Sequence, residues 1–509
     1  VLNKLLMGAG FATVGMFLSK AMGYLYRIIV GRYIGPEAYG QLSIGIMILG
    51  FARAFSGASP MDSALKRFIP EYREKDDLAS IKGVTLSTIH ISLGLSIIVG
   101  AVIFVSADFI AVEFFKSPDL ANIIRIFGII GIIKAPYDRI IETSLGFNTT
   151  KYEVLTKNLF QNIVKIGLTL LLVFLFGFGL MGAVWAWMAA VLLSSMVAFY
   201  FLEKKLGPIL TADVKPKYKH KEVAVFGYPL FFSGVIAKAQ GWTDTAVIGY
   251  FMSNADVGFY NAAYPTAMLI MIPSQALGSL ALSSISELGT KKEKSREKAL
   301  KTLTNWSFAL VFPAFLLMVL FSEQAIKILF GNQYGVAATA LAILAFSNLI
   351  SATVGNVGSY LQSKGHTKII FYNTLVTVVL NLALNIYLIP KYGITGAAIA
   401  TATSAILGEL LIFVETYRYE DVISLHPKML KTMISGLVSI TAIYLIVDNI
   451  FKVTPYWALV PAAGVFFLLH LLIFLKIGGL TDYDREIILT LARKIDSEET
   501  AEKILEKLT

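Results

Sequence analysis

Along most of this chain the apolar positions neither alternate nor recur every third or fourth residue. They run on unbroken for about 18 residues or more, with charge pushed to the ends of the runs. Runs of that length predict helices that cross a bilayer, because about 20 residues rising 1.5 Å each span a hydrocarbon core of roughly 30 Å. Fourteen are expected, near residues 4–30, 38–59, 80–105, 119–142, 151–177, 181–202, 222–250, 257–283, 299–321, 333–361, 366–390, 393–416, 428–449 and 455–477. The fold class that follows is an all-α polytopic membrane protein. The first run is too long for a signal-peptide core and lacks a small-residue cleavage pattern, so it reads as a span.

The polar connections between the runs alternate in charge. One side holds Lys66, Arg67, Arg73, Lys75 and Lys82, then Lys151, then Lys204, Lys205, Lys215, Lys217, Lys219 and Lys221, and then Lys291, Lys292, Lys294, Arg296 and Lys298. The other side holds Arg32, Lys116, Lys327, Lys391 and Lys452, one or none per loop. Positive residues are retained on the cytoplasmic side, so a multi-pass protein of the cytoplasmic membrane with both termini cytoplasmic is expected.

The pattern also repeats. Ile29-Val30-Gly31-Arg32 with Ala38-Tyr39-Gly40 resembles Val247-Ile248-Gly249-Tyr250 with Asp256-Val257-Gly258, at an offset of 218. Gly146-Phe147-Asn148-Thr149-Thr150-Lys151 resembles Ser363-Lys364-Gly365-His366-Thr367-Lys368 at 217, and Gly179-Leu180-Met181-Gly182 resembles Gly393-Ile394-Thr395-Gly396 at 214. Self-similarity at a nearly fixed offset marks a duplicated architecture. Each copy holds six spans, an even number, so both enter the membrane in the same direction. The expected layout is two parallel six-helix bundles related by a pseudo-two-fold axis along the membrane normal. They would occupy residues 1–203 and 222–417, with a cytoplasmic linker at 204–221, helices 13 and 14 within 418–480, and a cytoplasmic tail at 481–509. After span 2, Met61, Leu65, Phe68 and Tyr72 predict an amphipathic interfacial helix. Leu282, Ile285 and Leu288 predict a similar segment after span 8, and Ile487, Ile488, Leu491 and Ile495 predict a helical tail.

Composition agrees. Of 509 residues 56% are hydrophobic and only 15% charged, against about a quarter charged in soluble domains. The net charge of +10 sits in loops rather than on one soluble face, which argues against nucleic acid as a partner. There is no cysteine, and the five histidines, His90, His220, His366, His426 and His470, are too scattered for a metal site. No phosphate-binding glycine loop and no soluble domain large enough for a nucleotide site are visible, so neither an enzyme nor an ATP-driven pump is expected, and no cofactor.

Charges at bilayer depth are costly and therefore informative. Most are cations: Lys20 and Arg27 on span 1, seven residues apart and on one face, Arg53 on span 2, Lys165 on span 5 and Lys238 on span 7. Lys20, Arg53 and Lys238 have no carboxylate three or four residues away, so they are solvated by a cavity, paired across helices, or paired with a substrate. Lys165 stands above Asn158, Gln161 and Asn162, which form either packing contacts or the wall of a polar cavity. Lys134 and Asp138, four apart, are expected to neutralise each other, and Arg27 and Arg139 lie near helix ends where they could snorkel. Asp244 on span 7 and Glu409 on span 12 are the main deep acids. They are candidates for coupling-ion sites or for partners of the cations. Pro136, Pro265, Pro273 and Pro313 permit kinks.

The segments Lys20-Ala-Met-Gly-Tyr-Leu-Tyr-Arg27, Gly31-Arg32-Tyr-Ile-Gly35-Pro-Glu-Ala-Tyr-Gly40 and Phe68-Ile-Pro-Glu71-Tyr resemble polysaccharide-biosynthesis flippases of the Wzx type, within the multidrug/oligosaccharidyl-lipid/polysaccharide (MOP) exporter superfamily. The resemblance implies a MATE-like layout of six, six and two helices. It also implies translocation of a polyprenyl-(pyro)phosphate-linked oligosaccharide by alternating access through a cationic central cavity. Lys20, Arg27, Arg53 and Lys238 would hold the headgroup phosphate, Lys134, Gln161 and Lys165 would line the cavity, and Asp244 and Glu409 would take a coupling H+ or Na+. The partners would be the lipid-linked oligosaccharide, the bilayer, and a glycan polymerase or glycosyltransferases. Lipid II flippases share this pattern. Multidrug antiporters of the superfamily carry carboxylates in the N-terminal half, and spans 1 and 2 have none. A non-transporting scaffold of a glycan-assembly complex is the third alternative.

Overall fold

The computed structural model describes residues 2–275, 277, 293–354, 356–450 and 456–478. The segments expected around Leu282, Ile285 and Leu288, the basic residues Lys291 and Lys292, and the tail after 478 lie outside the described residues. The described chain is helical throughout: α1 (Leu2–Phe55), α2 (Ala58–Glu74), α3 (Leu78–Phe109), α4 (Leu120–Gly146), α5 (Lys151–Leu175), α6 (Gly179–Phe201), α7 (His220–Phe251), α8 (Asn254–Met268), α9 (Glu293–Leu320), α10 (Ser322–Phe330), α11 (Ala338–Val354), α12 (Asn356–Ser363), α13 (Thr367–Glu420), α14 (Met429–Ile450) and α15 (Tyr456–Lys476). Ten helical segments among the described residues are long and apolar enough to cross a membrane. The protein is an all-α polytopic membrane protein.

Two of these segments are each a pair of expected spans. In α1 the backbone leaves the helix at Gly35 (φ 82°), followed by Pro36. In α13 it leaves at Gly393 (φ 58°), just after Pro390. Positive φ is cheap only for glycine. Elsewhere the same conformation marks the repeat. Asn148 and Gly365 (φ 58° and 89°), Gly179 and Gly393 (51° and 58°), and Lys116 and Gly331 (51° and 104°) are left-handed pairs at offsets of 217, 214 and 215. Pro265 and Pro273 bracket a 3-10 turn at Leu269–Met271 that interrupts the helix begun by α8.

The described residues divide into two compact units, one ending at Ala262 but including Asn381–Ala397, the other Ala263–Leu380 with Ala398 onward. In the first, α2 is the expected amphipathic helix. It starts after Gly57 in the left-handed conformation, and Met61, Leu65, Ile69 and Tyr72 on one face are buried in a core with Ile81, Val84, Leu202, Ile209 and Val223. Asp77 caps α3 by accepting from Ser80 N at 3.0 Å. The linker before α7 lies on α3: Lys217 N donates to Ala79 O (3.0 Å), Lys219 N to Ser87 Oγ (2.8 Å), and Lys82 Nζ to Ala212 O (2.6 Å). The turn between the two arms of α1 packs on the turn between α7 and α8, where Asn254 donates to Glu37 and Ser117, both at 2.9 Å.

In the second unit, α9, α11 and α14 share an apolar core around Phe308, Val311, Phe312, Ala345 and Leu349. Helices α14 and α15 form another around Ile443, Val447 and Phe466.

Candidate functional site: a cation cluster in the N-terminal unit

Helix α4 carries Lys134, Asp138 and Glu142 at spacings of four, so all three lie on one face. The face is buried and each charge is answered. Arg53, near the end of α1, donates through Nε to Asp138 Oδ2 at 2.8 Å, and its NH2 lies 2.5 Å from the same oxygen. Lys134 Nζ lies 3.3 Å from Asp138 Oδ1. Glu142 pairs with Lys66 of α2 at 2.9 Å, and the neighbouring Arg139 pairs with Asp62 of α2. Lys134 and Asp138 do pair, as their spacing predicts, but Arg53 shares the carboxylate. Of the three options open for Arg53, pairing across helices is realised.

Arg139 corrects an expectation. Rather than snorkelling from a helix end it is almost fully buried at 1% exposure, bonded to Asp62 and to Ala58 O at 3.0 Å. Sequence spacing could not show this, because Asp62 belongs to another helix.

Around this network stand cations with less compensation. Lys165 is buried on α5 in an α-helical stretch, Gln161–Thr169, flanked by wider π turns. Its ammonium lies 4.4 Å from the ring centre of Tyr26 and 4.6 Å from that of Trp187, and donates to Asn162 Oδ1 at 2.9 Å. The packing reading of the asparagines has an observation behind it: Asn162 also reaches Ser19 across helices at 3.4 Å. Gln161 accepts from Tyr137 at 3.4 Å. Arg27 is half-buried, donates to Tyr39 at 3.3 Å and acts electrostatically on Lys165. Lys20 is exposed on the same helix.

Lys238 is exposed on α7. That helix runs against α1 and the start of α2 through small residues: Gly50 faces Trp242 and Gly249 faces Ile44 on α1, and Gly234 faces Ser59 on α2. This pairing places Lys238 one turn from Trp242, opposite Arg53, which is one turn from Gly50, and the two cations interact electrostatically. The structure thus groups Arg53, Lys134 and Lys238, and Arg27 with Lys165, with Lys134 acting on both groups.

The deep acids lie apart. Asp244 on α7 accepts from Tyr260 at 2.5 Å, from Asn385 at 2.7 Å and from Asn381 at 3.4 Å. Asn381 and Asn385, four apart in an apolar run, were the available signal for this cluster and were missed. Glu409 lies in the second unit, hydrogen-bonded to Ser351. Among the described residues no group of three or more His, Asp or Glu side chains could hold a metal ion.

Comparison with known proteins places the chain. The polysaccharide biosynthesis protein family matches residues 5–286. The chain belongs to that family. MatE, a second family of the MOP superfamily, matches residues 229–387. Among family relatives, a probable low-salt glycan biosynthesis flippase of Haloferax volcanii is 32% identical over 40% of this chain and 44% of its own length. A putative O-antigen transporter of Shigella flexneri is 23% identical over 79% of this chain and 94% of its own. Among solved structures, a lipid II flippase in an inward closed conformation superposes with a TM-score of 0.73 at 17% identity, covering 91% of this chain and 97% of that one. An inward-facing multidrug MATE transporter gives 0.65 at 18%, covering 79% and 94%. These show a shared fold.

Proposed function

We propose that this protein is a flippase, a transporter rather than a catalyst, that carries a polyprenyl-(pyro)phosphate-linked oligosaccharide across the cytoplasmic membrane, both its termini being cytoplasmic. The observation that carries the reading is a charge imbalance in the N-terminal unit. Of Arg27, Arg53, Lys134, Lys165 and Lys238, two are seen in an ion pair, Arg53 and Lys134, and both use the same carboxylate, Asp138. Uncompensated cations in a low-dielectric setting are retained for an anionic partner, and guanidinium and ammonium groups are the usual phosphate ligands. Relatives named as glycan flippases and an O-antigen transporter support a lipid-linked glycan as that partner. Alternating exposure of the cluster to the two sides would move the headgroup while the lipid tail stays in the bilayer. A glycan polymerase or glycosyltransferases would be the neighbours in such a process.

The coupling ion belongs to this reading. Asp244, Asn381 and Asn385 bring together a carboxylate and two amides whose oxygens would suit a hard cation once the amides turn from donating to Asp244, and Asn385 Oδ1 is buried without a hydrogen-bond partner. These residues would hold Na+ or, at the carboxylate alone, H+. Glu409 is a second candidate for a proton.

The test is translocation in proteoliposomes of a lipid-linked oligosaccharide, with lipid II and a cationic drug as competing cargoes. Arg53→Ala and Lys165→Ala are expected to abolish glycan-lipid movement at unchanged protein level. Undiminished transport by both variants would sink the assignment. Drug efflux that depends on Asp244 would favour the antiporter instead.

A further inference from the structure

Asp138 is the carboxylate that Arg53 and Lys134 share, and its position calls for a role. Its side chain is 5% exposed, yet it holds the guanidinium of Arg53, whose side chain is 26% exposed, from one edge only. Nε and NH2 face the same carboxylate oxygen. A guanidinium has five donors, so the edge bearing NH1 is left over, on a residue that α7 brings opposite the exposed Lys238. On its other oxygen Asp138 meets Lys134 at 3.3 Å with geometry too poor for a hydrogen bond.

We propose that Asp138 is a resident counter-anion: it occupies Arg53 and Lys134 in place of the cargo phosphate, competes with that phosphate for them, and thereby keeps headgroup binding weak enough for release. This rests on the flippase reading above. Two effects oppose each other when the carboxylate is removed. Loss of a unit charge within about 10 Å of a bound anion strengthens binding roughly tenfold at an effective dielectric near 20. Freeing the Arg53 side chain weakens binding by only a few-fold. The charge effect wins, so Asp138 tunes affinity downward and does not chiefly aim Arg53. A carrier gains from this, because cargo held too tightly is not delivered.

The experiment measures binding of farnesyl pyrophosphate to the purified full-length protein, together with translocation of lipid-linked oligosaccharide. Asp138→Asn keeps the shape and an acceptor for Arg53, and is expected to bind the probe a few-fold more tightly, with a lower apparent KM and a several-fold lower maximal rate. Asp138→Asn combined with Lys134→Met removes one charge of each sign, guards against instability from an unpaired lysine, and is expected to return affinity toward wild type. Unchanged or weaker binding in Asp138→Asn, with wild type binding in an Arg53-dependent way, would overturn the counter-anion and leave the flippase reading standing. No binding of the probe by wild type would overturn both.

Discussion

Gly40 and Gly258 hold equivalent places in the two repeats and meet backbone to backbone. A Cβ added to Gly40 would lie 1.7 Å from the carbonyl oxygen of Asn254 and 3.0 Å from Gly258 N, and one on Gly258 would lie 2.1 Å from the carbonyl oxygen of Pro36. Backbone cannot yield as a flexible side chain can, so only glycine permits this approach. If the two turns part and close during transport, Gly40→Ala and Gly258→Ala should each hold them apart. The expected result is a fall in translocation of tenfold or more with protein level retained. It would be checked together with labelling of a cysteine introduced at Glu37, which should become more reactive in both variants.

Lys165 separates a functional charge from a structural one. It has no ion pair among the described residues, and Tyr26 and Trp187 give it cation–π contacts worth about 1–2 kcal/mol when desolvated. With the hydrogen bond to Asn162, worth about 1.5–3 kcal/mol for a charged donor, these contacts offset the roughly 2.5–3.5 kcal/mol cost of a charge at bilayer depth and leave little net stabilisation. Lys165→Met is therefore expected to leave Tm unchanged or raise it, while translocation falls at least tenfold. A fall in Tm with normal transport per folded molecule would show the lysine to be structural.

The contrast with Arg139 shows how far the sequence could be read. Run length placed the spans, and the offsets near 214–218 located the repeat, because both are properties of one chain segment or of two aligned ones. The Lys134 and Asp138 pair was visible for the same reason. Asp62 with Arg139, Arg53 with Asp138, and the Tyr26 and Trp187 faces around Lys165 depend on which helices touch. No spacing within a single helix encodes that. Asn381 and Asn385 lay between the two, since their spacing was visible and their partner Asp244 was 137 and 141 residues away.

Arg139 itself makes a prediction. Removing one member of a buried pair leaves the other uncompensated, at a cost of about 3–5 kcal/mol in a fully dry site, and Asp62 is partly exposed, so about 2–3 kcal/mol is expected. Arg139→Met should lower Tm and the amount of protein in the membrane, yet leave transport per folded molecule near wild type. Asp62→Asn combined with Arg139→Met should recover part of the lost stability, because neither charge is then stranded.

Asp77 ties the linker to α3 and carries a pH dependence. Its side chain accepts from Ser80 N and Oγ and faces Lys217 Nζ at 3.0 Å, and these hydrogen bonds, Ser80 first, hold its carboxyl down at about 2. A depressed carboxyl pKa adds stability that is full above the ordinary Asp value near 4 and is lost as pH falls through the folded value. In detergent-solubilised protein, protease cleavage within residues 207–219 should thus be slow at neutral pH and speed up as pH drops from about 4 toward 2. Hydrogen exchange over the same segment gives the readout where protease fails. Asp77→Ala should show the fast behaviour already at neutral pH, with no further acid step in that range, because the cap and the clasp on Lys217 go together.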